Sequence, residues 1–194
     1  MHGSDAAAVA RAREGDEHAF QLLVEQHGGS VFRLAYRLTG NRQDAEDVVQ
    51  ETFLRAYREL PRFESRANFG TWLYRIASNC SIDFMRSRAR HEDRRAQADP
   101  RLPGSADPVD GPDVAALDPP ADRLVFSAEI QRQVASALEW LTPLERAAFV
   151  LRHFDERSIE EIGGILGLRT NATKHSIFRA VKKVRQALGP MVNR

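Results

Sequence analysis

A single cysteine, Cys80, stands in 194 residues. A lone thiol excludes an intramolecular disulfide framework and any multi-cysteine zinc site, and it fits a reducing cytoplasm. No run approaches the ~20 consecutive apolar residues of a membrane span. The opening stretch, MHGSDAAAVARAREGDEHAF, holds no long apolar segment of a secretory signal. A Gly-rich phosphate loop, a nucleophile elbow and a clustered His/Cys ligand set are all missing. His153 and His175 lie far apart with no matching ligand pattern. Asp44, Glu46, Asp47 and Glu51 lack the glycine and odd-position spacing of a calcium loop. The sequence therefore predicts no enzyme, no cofactor and no metal.

Acidic residues are missing from one end. After Glu161 there is none, yet Arg169, Lys174, Arg179, Lys182, Lys183, Arg185 and Arg194 follow. The formal net charge of +1 hides this asymmetry: residues 1–90 are net +1, residues 91–122 net −5 and residues 123–194 net +5. A basic end behind an acidic middle predicts a polyanionic partner, most often nucleic acid.

The middle stretch, 91–122, holds Pro100, Pro103, Pro108, Pro112, Pro119 and Pro120 and no aromatic residue. It cannot bury enough apolar area to offset its ordering entropy and is too long for an ordinary loop. It reads as a flexible acidic linker. The predicted organisation is a flexible tail over 1–14, a domain over 15–90, the linker, and a second domain over 123–190. No internal repeat is present.

Both domains read as all-α. Asp16 can cap a helix carrying Phe20, Leu23 and Val24, which Gly28 and Gly29 are expected to break. Val31, Leu34, Ala35 and Leu38 continue at helical spacing up to Thr39-Gly40. Asn41 caps the next helix, with Ala45, Val48, Val49, Thr52, Phe53 and Ala56 inward and Pro61 as its stop. A further helix runs from about Asn68 to the arginines at 86–90. Its inward residues are Phe69, Trp72, Leu73, Ile76 and Cys80. On that face Cys80 reads as a small buried hydrophobe.

The second domain opens on a helix bearing Phe126, Ile130, Val134, Ala137 and Leu141. Thr142-Pro143-Leu144-Glu145 and Ser158-Ile159-Glu160-Glu161 are two capping boxes. The short helix after the second carries Ile159, Ile162, Ile165 and Leu166 and ends at Gly167. A basic helix then starts near Thr170. Short helix, glycine turn and long basic helix make a helix-turn-helix. At 100° per residue, Ile177, Val181, Val184 and Leu188 form the expected seam. Asn171, His175, Arg179, Lys182 and Gln186 lie opposite, with Lys174 and Phe178 toward the edges. Cations and amides on that face suit base edges and phosphates, and Phe178 suits a thymine methyl. The plain alternative is a solvated basic face.

Two features mark the first domain. Leu54 sits among Asp47, Gln50, Glu51 and Arg58 opposite the core stripe. An apolar side chain ringed by acids suggests an interface with a basic partner, although a lone exposed leucine is common. In residues 61–90, aromatics interleave with arginines, as in single-strand binding. Phe69 and Trp72 there also fit the core. Asn79 fits either a base contact or an ordinary exposed helical position.

Four segments carry a family resemblance: DAEDVVQETFLRAY (44–57), FGTWLYRIASNCSIDFMRSRAR (69–90), LTPLERAAFVLRHFDERSIEEIGGILGL (141–168) and ATKHSIFRAVKKVRQAL (172–188). In these the chain resembles the extracytoplasmic-function (ECF) sigma factors, two-domain bacterial transcription initiation factors. The resemblance implies that Asp47, Gln50, Glu51 and Leu54 bind the beta-prime clamp helices of core RNA polymerase. It implies −10 promoter contacts from Arg62, Phe63, Arg66, Asn68, Arg75, Asn79 and Arg86. For the −35 duplex it implies Arg169, Thr170, Asn171, Lys174, His175, Phe178, Arg179 and Lys182. It further implies a beta-flap contact, a linker threading the RNA exit path, an anti-sigma partner and a cytoplasmic location.

The chain departs from the family pattern twice. Gly163-Gly164 follow Glu161-Ile162 where many members have alanine, and paired glycines weaken a helix by ~1 kcal/mol each. Ala172-Thr173-Lys174-His175 stands where members often carry Thr-Val-Lys, so the −35 sequence does not transfer from relatives. The rival reading is a helix-turn-helix regulator acting on duplex DNA without polymerase.

Overall fold

The computed structural model describes residues 3–63, 68–98, 134 and 136–192, and no strand occurs among the described residues. The helices are α1 (Gly3–Arg13), α2 (Glu17–Thr39), α3 (Arg42–Glu59), α4 (Phe69–Ala98), α5 (Pro143–His153), α6 (Ile159–Leu166) and α7 (Thr170–Val192). A 3-10 turn, Leu60–Arg62, follows α3, and residues 136–139 are helical ahead of α5.

Residues 3–13 were expected as a flexible tail, and they form α1 instead. Val9 and Ala12 are buried against the core. Gln26 Nε2 donates to Asp5 Oδ1 at 2.6 Å, and His27 Nε2 lies 3.1 Å from Asp5 Oδ2. Arg11 holds Asp16 at 2.6 Å while Asp16 accepts from the N–H of Ala19, capping α2. That backbone hydrogen bond, followed by Arg11, holds the Asp16 carboxyl below its usual range.

The expected break at Gly28-Gly29 does not occur; α2 runs through both. Its stripe of Leu23, Val31, Leu34, Ala35 and Leu38 is fully buried. That burial outweighs the ~1 kcal/mol each glycine costs. Gly40 ends α2 at φ 75, its N–H donating to the Tyr36 carbonyl. Asn41 then caps α3 through the N–H of Asp44 at 3.1 Å.

Helix α4 continues to Ala98, beyond the domain limit expected at 90. Residues 91–98 contain no glycine or proline, so nothing in them stops a helix. The rest of the expected linker, 99–122, lies outside the described residues, as do Phe126 and Ile130.

The two expected domains share one apolar core. It joins Leu23, Leu34, Leu38, Val48, Leu60 and Leu73 to Val150, Leu151, Ile162 and Ile165. Helices α2 and α4 thus pack against α5 and α6 as well as α3. A smaller cluster joins Ala137, Leu138 and Leu141 to Ala180 and Val184 of α7. Polar groups cross the larger junction. Arg37 Nη1 donates to Asp155 Oδ1 at 2.6 Å, and its guanidinium lies 5.1 Å over the Phe154 ring. Arg157 sits 5.1 Å over Tyr74. Asp155 Oδ2, Arg146 Nε and Arg157 Nε are buried without a hydrogen-bond partner. Burial pushes the Asp155 carboxyl up despite Arg37, and burial pushes the Tyr74 hydroxyl up as well.

Both capping boxes form, at Thr142/Glu145 and Ser158/Glu161. Gly167 ends α6 at φ 66. The paired glycines of α6 are not equivalent. A Cβ on Gly163 would lie 2.9 Å from the Leu168 carbonyl oxygen and 3.3 Å from Thr173 Oγ1. Gly163 therefore lets α6 close onto the turn, while a Cβ on Gly164 would meet nothing within 4 Å. Gly164→Ala should raise unfolding stability by up to about 1 kcal/mol. Gly163→Ala should lower it by roughly 1–3 kcal/mol. Denaturant unfolding of the two variants checks the opposite signs.

Candidate nucleic-acid interface

Helix α7 presents one polar face outward. Arg169, Thr170, Asn171, Lys174, His175, Phe178, Arg179 and Lys182 are all exposed, Phe178 by 67%. The buried seam differs from the expected one. Thr173, Ser176, Ala180 and Val184 are buried, whereas Ile177, Val181 and Leu188 are only half-buried. Small residues at 173, 176 and 180 let α7 approach its neighbours closely. Periodicity counted only large apolar residues and so placed the seam about one position off. Thr173 Oγ1 donates back to the Arg169 carbonyl at 3.2 Å, satisfying its hydroxyl inside the helix.

The base of this face is tied to α5 by Glu145, whose side chain is 6% exposed. Glu145 Oε2 accepts from Lys183 Nζ at 2.7 Å and from the Thr142 N–H at 3.1 Å. Its Oε1 lies 3.6 Å from Arg179 Nε. Burial pushes the Glu145 carboxyl up, but Lys183 and the Thr142 N–H together hold it below the usual glutamate range.

The candidate residues of the first half separate into two groups. Phe63 is buried, packed 4.8 Å from Trp72 and 6.1 Å from Phe69 by ring centroids. In this packing it builds the aromatic cluster under the α3–α4 junction and presents little side-chain surface. Trp72 is half-buried in the same cluster. Arg66 lies outside the described residues. Arg62 and Asn68 are exposed at that junction, and Asn68 Oδ1 accepts from the Gly70 N–H at 2.8 Å. Arg75, Asn79 and Arg86 are exposed along one strip of α4. Ser78, next to Asn79 in the helix, is fully buried with an unpartnered hydroxyl.

A cleft brings Arg75 of α4 together with Arg169 and Thr170, beside Gly163 and Gly164. Two candidate nucleic-acid faces thus meet across the packed junction. The cleft is lined by the cations Arg75 and Arg169 and by the acid Glu160.

A second surface lies between α2 and α3. Phe20, Val24 and Phe32 line one wall, and Val49, Phe53, Leu54 and Tyr57 the other. Leu54 is 46% and Tyr57 45% exposed. Glu46 and Gln50 stand at the edge, Asp47 is exposed nearby, and Glu51 is paired with Arg55 at 2.5 Å. The sequence identified Leu54 and its acids but missed the wall from α2. Tyr57, three residues after Leu54 and off the core stripe, was the available signal.

Cys80 is buried, and burial pushes its thiol up, which suppresses the reactive thiolate. Among the described residues no group of three His, Cys, Asp or Glu side chains is placed to hold a metal ion. No helix among them is long and apolar enough to cross a membrane.

Residues 23–91 match the Sigma-70 region 2 family, and residues 131–184 match the Sigma-70, region 4 family. The chain is 36% identical over 177 residues to the ECF RNA polymerase sigma factor SigE of Mycolicibacterium smegmatis. That match covers 90% of this chain and 64% of the relative. It is 31% identical over 180 residues to the ECF RNA polymerase sigma factor SigW of Bacillus subtilis, covering 93% and 94%. Among solved structures, CnrH in complex with the cytosolic domain of CnrY superposes with a TM-score of 0.65 at 27% identity, covering 97% of this chain and 99% of that one. The sigma factor RpoE of Bartonella quintana, solved with the anti-sigma factor NepR, shares the fold at TM-score 0.62 and 22% identity, covering 88% and 96%.

The depressed carboxyl of Glu145 predicts a pH dependence. Its stabilisation is present above the unfolded glutamate value and is lost as pH falls through the lowered folded one. Thermal unfolding from neutral to acidic pH should show a loss that Glu145→Gln lacks. Identical profiles would refute it.

Proposed function

This chain belongs to the extracytoplasmic-function RNA polymerase sigma factor family, and we propose how its faces divide promoter recognition. It has no catalysis of its own in this reading and acts in the cytoplasm as the specificity subunit of core RNA polymerase. The exposed polar face of α7 reads the −35 element as duplex. Base edges are met by Asn171, Lys174, His175, Phe178 and Arg179. Phosphates are met by Arg169, Thr170 and Lys182. The strip of Arg75, Asn79 and Arg86, with Arg62, Arg66 and Asn68, holds the opened −10 strand. The groove between α2 and α3 receives the beta-prime clamp helices. Leu54 and Tyr57 supply apolar area, and Asp47, Gln50 and Glu51 supply charge complementarity to a basic partner.

One observation carries this reading best: the basic face of α7 and the acid-rimmed apolar groove lie on separate surfaces of one chain. A regulator that only bound duplex DNA is not favoured, since residues 23–91 match Sigma-70 region 2. The meeting of Arg75 with Arg169 and Thr170 supports a second element of the proposal. Simultaneous use of both DNA faces requires α5–α7 to leave α2 and α4. The orphaned polar atoms at that junction support a separable contact. An anti-sigma partner would act by holding the packed form or covering the groove.

Two substitutions separate the faces. Asp47→Lys with Glu51→Lys should reduce affinity for purified core RNA polymerase more than about tenfold, with unchanged helicity. Arg179→Ala should weaken −35 use and leave core binding intact. Normal core binding by the double variant, or equal loss of core binding in Arg179→Ala, contradicts the assignment.

A further inference from the structure

The two capping boxes make an internal comparison. Both supply a glutamate that closes a helix N-terminus, and a cap requires nothing more. Glu161 fulfils this while 43% exposed, pairing with Arg157 one turn away. Glu145 fulfils it while almost wholly buried, and it reaches two cations of a distant helix. Its oxygens divide the work. Oε2 serves the cap and Lys183, and Oε1 faces Arg179 Nε. Burying a carboxylate is unfavourable unless it is paired. The second oxygen therefore does something the cap does not explain.

Arg179 is the partner that matters. Its side chain is 63% exposed even with Nε turned toward Glu145. At 3.6 Å the contact is in ion-pair range and beyond hydrogen-bond distance, so the Glu145 charge biases where the planar guanidinium sits without locking it. A fork drawn toward one side in that way is biased toward the paired acceptors of a guanine. We propose that Glu145 is a positioning residue for −35 reading, which sets the base preference of Arg179 and holds Lys183 back from phosphate. This rests on α7 being the −35 helix.

The test uses holoenzyme reconstituted from core RNA polymerase and the full chain. The probe is a promoter library randomised only at −35, upstream of a −10 segment selected by the unsubstituted protein. Glu145→Gln keeps an acceptor for the Thr142 N–H and removes the charge. Base preference should fall about tenfold at the position read by Arg179 and hold elsewhere. The log–log salt slope should steepen by about 1 as a cation is freed for phosphate. In an Arg179→Ala background, Glu145→Gln should change nothing further at that position. Should the Gln variant fold poorly, Glu145→Asp withdraws the carboxylate by one methylene and gives the same comparison. An unchanged preference, a uniform loss at every position, or an added loss in the Arg179→Ala background overturns the role. If the unsubstituted protein selects no −35 sequence, the reading of α7 falls with it.

Discussion

Helix α4 must bury side chains toward several partners at once, and the rest of the molecule is arranged around that demand. It packs against α2 and α3 on one side and against α5 and α6 on another. Ile76, Ala77, Ser78, Cys80, Ser81 and Ile82 are all buried, so burial runs most of the way round the helix. Up to Arg86 only a narrow strip stays open, and Arg75, Asn79, Asp83 and Arg86 occupy it. The small residues Ala77, Ser78 and Ser81 permit helix approaches that larger side chains would block. The same packing sets the 3-10 turn and the aromatic cluster of Phe63, Phe69 and Trp72 beneath the exposed Arg62 and Asn68.

The junction between the two halves combines an apolar centre with imperfectly matched polar groups. Leu151, Ile162 and Ile165 are the kind of contact that holds a core together. Arg37 and Asp155 add an ion pair, yet one oxygen of Asp155 and one nitrogen each of Arg146 and Arg157 have no hydrogen-bond partner. Half-satisfied buried polar groups lower the net gain from burial. Such a contact holds the halves together less firmly than a fully satisfied core of the same area would.

Much of this was legible in sequence. The caps at Asp16 and Asn41, the two capping boxes, the glycine ends at Gly40 and Gly167 and the basic outer face of α7 follow from local rules, and all are present. Readings failed where tertiary packing overrides a local signal or where small residues carry the burial. Gly28 and Gly29 read as a break, but the flanking stripe of α2 holds the helix through them. Ser78, Ser176 and Ala180 are too small or polar to register in a count of large apolar residues, so the α7 seam was drawn about one position off and Ser78 was left out of the buried face of α4. Phe63, which the resemblance implies as a −10 contact, packs into the aromatic cluster, and aromatics beside arginines suit both a stacking surface and a core. The cleft joining Arg75 to Arg169, and the reach of Glu145 to Lys183, span distances along the chain that no periodicity encodes.

Helix α7 shows how the fold holds side chains in place. Gly163 lets α6 close onto the turn at Leu168, the turn starts α7 at Thr170, and Glu145 holds its later turns. Rigid support of this kind makes a side chain selective as well as adhesive. On the proposed function, this support serves promoter reading by a polymerase subunit. The direct measurement mixes the purified chain with core RNA polymerase and a random promoter library, then sequences the transcript ends. Transcripts starting downstream of a shared −35 and −10 pair are the predicted result. Absence of transcripts and of core binding, from a folded protein, would contradict the account.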